Sequence, residues 1–159
     1  ELIITPTLSY LMEQCQSLKV LKLMKIEIDE NHCRVLGDFS RPDLEIALYG
    51  CKITSAGASA LVEVLRRNQG PTKLYRCKID HLVLADGLRG NSRLKSFGQY
   101  FSDNSSVENR QVVAIAGALR ENKGLVELKL LYGLMLSLSM TTVGAPFAIL
   151  SRRIRHFRS

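Results

Sequence analysis

LYGCKI at Leu48–Ile53 and LYRCKI at Leu74–Ile79 differ at one position of six and begin 26 residues apart (74 − 48). Three readings compete for such a pair: two metal ligands, the halves of a disulfide, or one structural unit written twice. Their neighbours favour the third. The first copy continues as LEIALYGCKITSAGASALVEVLRRNQG from Leu44, the second as TKLYRCKIDHLVLADGLRGN from Thr72. Each opens with an alternating stretch, passes through Cys-Lys-Ile to Thr54 or Asp80, and enters an amphipathic run. Three such runs end in Leu-Arg-x-Asn: Leu65–Asn68, Leu88–Asn91 and Leu119–Asn122.

The alternating stretches read as strands, with Ile46 and Leu48 on one face and Glu45, Ala47 and Tyr49 on the other. The runs read as helices. Thr54 suits an N-cap, and Gly57, Ala60, Leu61, Val64 and Leu65 fall on one face. Val112, Ile115, Ala116 and Leu119 repeat that arrangement later. The unit is therefore strand, turn, helix, recurring about every 25 residues.

The pattern L-x-x-L-x-L-x-x-N/C-x-L fits LKVLKLMKIEI from Leu18, with Ile26 at the Asn/Cys place. It fits again through Ile46, Leu48, Cys51 and Ile53, and through Thr72, Leu74, Cys77 and Ile79. A fourth unit, Leu94 through Phe97, is degraded, with Gln99 where an inward Leu belongs. A fifth starts with Leu125, Leu128 and Leu130. Over residues 18–135 the chain resembles leucine-rich-repeat proteins of the ribonuclease-inhibitor-like subclass. The resemblance implies an α/β solenoid of about five repeats over residues 1–135, with parallel strands on the concave side and helices on the convex side. Leu8–Gln14 is then the helix of a preceding, truncated unit, and the chain, opening at Glu1, is a piece of a longer array. Cys51 and Cys77 would sit in adjacent layers of one internal column, packed against turn backbone that would otherwise go unpaired.

The 159 residues are 46% hydrophobic and 23% charged, with 6% aromatics and no Trp, so one domain with a core of Leu, Ile, Val and Ala is expected. The net charge of +7 drops to +3 (7 − 4) without Arg152, Arg153, Arg155 and Arg158, so the basicity belongs to the tail. That is a weak footprint for nucleic acid. Cys15, Cys33, Cys51 and Cys77 lie in apolar contexts and read as buried, reduced thiols of a cytoplasmic protein.

Little in the chain points to chemistry. The glycines form no phosphate loop. His32, His81 and His156 have no nucleophile in a recognisable setting, so no catalytic residue is assigned. Cys77 with His81, or His32 with Cys33, is half a zinc site without a Cys-x-x-Cys partner. No metal, cofactor or small-molecule substrate is expected.

A surface is expected instead. Parallel strands stack about 4.8 Å apart, so equivalent outward positions form columns. One column would hold Met24, Tyr49, Tyr75, Tyr100 and Leu131. The next would hold Lys22, Ala47, Lys73, Gly98 and Lys129, with Lys25 and Arg76 alongside. Strand propensity and guarding of an exposed sheet account for such residues without a partner. The alternative is a concave protein-binding strip of Lys22, Met24, Tyr49, Lys73, Tyr75, Arg76, Tyr100 and Lys129, suited to an acidic protein and non-catalytic in action. Regulation or inhibition of another enzyme by the same surface is a variant of that function.

Residues 130–150 contain no charge, and SRRIRHFRS follows. As a membrane span the segment is long enough but is weakened by Ser137, Ser139, Thr141, Thr142, Gly144 and Pro146. As a terminal cap it would cover the open end of the last repeat. As the product of a shifted reading frame, the tail would have no evolved role. Residues 136–159 are thus expected to be an atypical cap or a disordered basic tail.

Overall fold

The computed structural model describes residues 4–101, 106–132 and 136–141, with side chains for 7–100 and 110–130. Helix α1 (Ile4–Gln14) leads into β1 (Val20–Met24), β2 (Glu27–Ile28) and α2 (Glu30–Asp38). The next unit is β3 (Glu45–Tyr49), β4 (Lys52–Ile53) and α3 (Ser55–Arg66), followed by β5 (Lys73–Tyr75) and α4 (His81–Leu88). Then come β6 (Ser96–Phe101), α5 (Ser106–Glu121), β7 (Glu127–Tyr132) and β8 (Leu136–Thr141).

The chain is α/β. Its main sheet runs β1-β3-β5-β6-β7-β8, parallel in chain order until β8 pairs antiparallel with β7. The helices pack in the same order, each against the next. They cover the sheet face bearing Ile46, Leu48, Leu74, Phe97 and Leu128, which share one buried cluster with Leu36, Leu61, Leu65, Leu84 and Leu119. Truncating such a side chain typically costs about 2–5 kcal/mol.

Local chemistry sets the unit boundaries. Thr54 caps α3 by accepting from Gly57 N at 3.0 Å, and Asp80 caps α4 by accepting from Leu82 N at 2.9 Å. Asp29 and His32 form a reciprocal capping box on α2. After each of the first three main strands the chain turns through a left-handed residue, Lys25 (φ 54), Gly50 (φ 61) or Arg76 (φ 51). Each donates its backbone N–H to the next strand, at Tyr49 O, Tyr75 O and Gly98 O.

The two cysteines of the opening motif occupy equivalent places one rung apart. Cys51 Sγ donates to Leu23 O (3.4 Å) and Tyr49 O (3.6 Å); Cys77 Sγ donates to Leu48 O (3.6 Å) and Tyr75 O (3.5 Å). Both are fully buried and unbridged, as is Cys33, whose thiol bonds Gly57 O. Cys15 departs from the expectation: it lies just beyond the end of α1 and is exposed.

Asn91 and Asn122 form a second ladder. Their Nδ2 atoms donate to Leu65 O and Leu88 O, both at 2.7 Å, and their Oδ1 atoms accept from Leu94 N and Leu125 N, both at 2.8 Å. Asn68, in the first Leu-Arg-x-Asn ending, is exposed and left-handed (φ 55), and binds Ser92 instead.

One expected alignment is corrected. Leu74 pairs with Phe97, and Tyr75 with Gly98, so β6 lies two residues away from the place the repeat consensus gave it. Putting Gln99 beside Leu74 would send an amide toward the core, whereas Phe97 fills that position and is fully buried. Helix α4 has 8 residues against 12 in α3, so this unit closes sooner.

The beginning of the proposed span, residues 130–132, is strand, and so is 136–141; the two pair antiparallel as the last strands of the sheet, and neither is helix. Among the described residues no helix is long and apolar enough to cross a membrane. The arginine-rich tail lies outside the described residues.

Candidate functional site

The sheet face turned away from the helices is built from outward strand positions. The register places Met24, Tyr49, Tyr75, Gly98 and Lys129 in one column, and Lys22, Ala47, Lys73, Ser96 and Glu127 in the next. Tyr100 is therefore not in the tyrosine column. It lies two residues further along β6, paired in register with Leu131, and is 47% exposed. Lys129 shifts by the same two residues in the same direction, into the column expected to hold tyrosine.

Tyr49 and Tyr75 stack with ring centroids 5.2 Å apart and planes 11° from parallel. Lys129 Nζ sits 5.7 Å from the Tyr75 ring centroid, close enough for a cation–π contact. The Tyr75 hydroxyl donates to Glu127, and Lys129 pairs with the same carboxylate at 2.6 Å. Lys73 pairs with Glu45 at 2.9 Å. The sequence reading put Glu45 on this face but left it out of the binding strip, and it missed Glu127. Their outward strand positions were the available signal for placing them there.

These contacts set the electrostatics. The Lys129 ammonium, aided by the Tyr75 hydroxyl, holds the Glu127 carboxyl down to about 2. Glu45 raises Lys73, and Glu127 raises Lys129. Burial, then the neighbouring Glu127, raises Tyr75. Two lysines of the expected basic strip are thus neutralised from within the face. Lys22, Lys25 and Arg76 are exposed and form no ion pair among the described residues. Met24, at the β1 end of the column, is 58% exposed.

The histidine and cysteine pairs considered as half zinc sites have structural surroundings. His32 belongs to the cap of α2, and Cys33 ties α2 to the start of α3. Among the described residues no three His, Cys, Asp or Glu side chains gather to hold a metal. Burial pushes the Cys33 thiol up to about 12. The neighbouring Cys77 thiol lowers Cys51, and the neighbouring Cys51 thiol, with burial, holds Cys77 far above the ordinary range.

On the helical side the short α4 leaves an open groove of about 600 Å³ lined by Val62, Arg66, Leu82, Asp86, Arg89 and Ala114. Its charges are balanced internally, Arg66 by Glu63 and Asp86, and Arg89 by Glu121.

No protein-family model matches the chain, and no curated protein matches it.

Proposed function

We propose that the chain is a leucine-rich-repeat solenoid of the ribonuclease-inhibitor-like subclass that recognises a protein partner through the outer, concave face of its sheet, without catalysis. The chain-order parallel strands, the Cys51 and Cys77 rungs and the asparagine ladder support the solenoid reading. The buried free thiols support a reducing, cytoplasmic setting.

The observation that carries the recognition reading is the Tyr49–Tyr75 stack, held by Lys129 and Glu127 and flanked by exposed Met24 and Tyr100. Ordered aromatic rings lose little conformational freedom on binding and dominate interface energetics. With Lys73 and Lys129 already paired, acidic groups of a partner would meet Lys22, Lys25 and Arg76. Apolar groups would meet the tyrosines.

The test is capture of one identified partner by the full chain. Tyr49→Ala with Tyr100→Ala should weaken it at least about tenfold, while Leu82→Ala with Arg89→Ala on the helical side should leave it unchanged. Amide spectra confirm that both variants fold. Capture that survives the tyrosine changes and fails with the helical-side changes contradicts the proposal.

A further inference from the structure

We infer that, given the concave-face reading on which this rests, Lys25 and Arg76 form a seat over Gly50 for a phosphorylated side chain of the protein partner, so that recognition depends on that phosphate. Lys25, Gly50 and Arg76 directly follow Met24, Tyr49 and Tyr75, which align across the sheet. Each turns through the left-handed region, with φ of 54, 61 and 51. Glycine takes that conformation freely, whereas a lysine or an arginine holds it at a conformational cost. Strained backbone of this kind collects at binding sites. Two cations thus stand where the rung between them shows that glycine serves the turn.

The side chains converge on Gly50. Apart from its chain neighbours, a methyl group added there would meet only Cγ of Lys25, at 3.6 Å, so Lys25 lies across this rung and the remaining space is open. Two strand spacings put the Cα atoms of Lys25 and Arg76 about 10 Å apart, within the joint reach of the two side chains. The seat lies on the inner side of Lys25, whose N–H donates to Tyr49 O, so a unit stacked before β1 would leave it uncovered. The N–H groups of Lys25, Gly50 and Arg76 all serve the next strands, which leaves the side chains to bind. Both cations are exposed and form no ion pair among the described residues. The acids of the adjoining strands and turns are engaged: Glu27 by Lys52, Glu45 by Lys73, and Asp29 and Asp80 in helix caps. A phosphorylated side chain carries about −1.5 to −2 charges near neutral pH and three acceptor oxygens, which matches both cations. A carboxylate offsets only one of them.

The experiment titrates the full chain near neutral pH with N-acetyl-phosphoserine amide, and in parallel with N-acetyl-aspartate amide, and follows backbone amide shifts. Saturable shifts at Gly50 and Arg76 are expected, with the phosphoserine probe binding at least about fivefold more tightly. Arg76→Gly and Lys25→Gly each install the residue of the rung between them, so both should fold, as amide spectra check, and both should lose that preference. Three results would overturn the inference: no saturable shift at Gly50, equal binding of the two probes, or a preference that survives both glycine changes. Phosphatase treatment of the captured partner separates the seat from the face. Capture that fails with the tyrosine changes but ignores phosphatase defeats the phosphate seat alone. Capture that ignores the tyrosine changes defeats the concave-face reading and the seat with it.

Discussion

The Tyr75 ring lies against Gly98 so closely that a methyl group there would fall 2.8 Å from Tyr75 Cε1 and nearer still to Cδ1. Gly98 is thus the recess that lets Tyr75 lie flat and stack on Tyr49. Gly98→Ala should destabilise the chain by about 1–3 kcal/mol and weaken the tyrosine near-UV dichroism. At Gly117, inside α5, an added methyl group would meet nothing within 4 Å. Gly117→Ala should stabilise by about 0.5–1 kcal/mol. Thermal melts of the two variants test the opposite signs.

The asparagine ladder predicts unequal costs for one residue type. Asn91→Leu leaves Leu65 O and Leu94 N without their partner inside the protein, and should cost about 2–5 kcal/mol in urea titration. Asn122→Leu should cost about the same, since Leu88 O and Leu125 N lose the same bonds. Asn68 is exposed and left-handed, so Asn68→Gly should change stability by no more than about 1 kcal/mol.

Glu127 predicts an acid limb. Its folded-state pKa, about 2, lies below the ordinary 4.5, so the folded chain binds fewer protons at this site than the unfolded chain. The resulting stabilisation is fully present above 4.5 and is lost as pH falls through about 2. Melting temperatures of the wild type and Glu127→Gln should differ at neutral pH and converge toward pH 2. A gap that stays constant across that range would contradict the Lys129–Glu127–Tyr75 arrangement.

Equivalent rungs predict equivalent losses. Cys51→Ala and Cys77→Ala each remove a fully buried thiol that donates to two strand carbonyls. Each should cost about 1–2 kcal/mol, and the two costs should agree within about 0.5 kcal/mol. Denaturant midpoints at a common m-value provide the comparison.

The strands, caps and thiol column were legible because each rests on local chemistry: alternation at Ile46 and Leu48, cap oxygens at Thr54 and Asp80, and a repeated Cys-Lys-Ile. The register beyond Tyr75 is misplaced when the consensus is followed through its leucines, which leads to Gln99. The asparagine endings hold the correct spacing. Asn68 to Leu74, Asn91 to Phe97 and Asn122 to Leu128 each span six residues (74 − 68, 97 − 91, 128 − 122). The helix-to-strand turn therefore keeps its length while the helix varies. The neutralisation of Lys73 by Glu45 was not legible from composition, since it depends on which strands become neighbours, whereas Lys129 pairs with Glu127 two residues before it on its own strand, a spacing present in the sequence.

The stacking of units in this register is tested most directly by nuclear Overhauser contacts from the Tyr75 ring in the full chain. Contacts to the Gly98 α-protons and to the Tyr49 ring, with the Gly98 α-protons shifted upfield, are the predicted result. Contacts from Tyr75 to the Tyr100 ring in place of Gly98 would contradict the register, and with it the surface on which recognition is proposed.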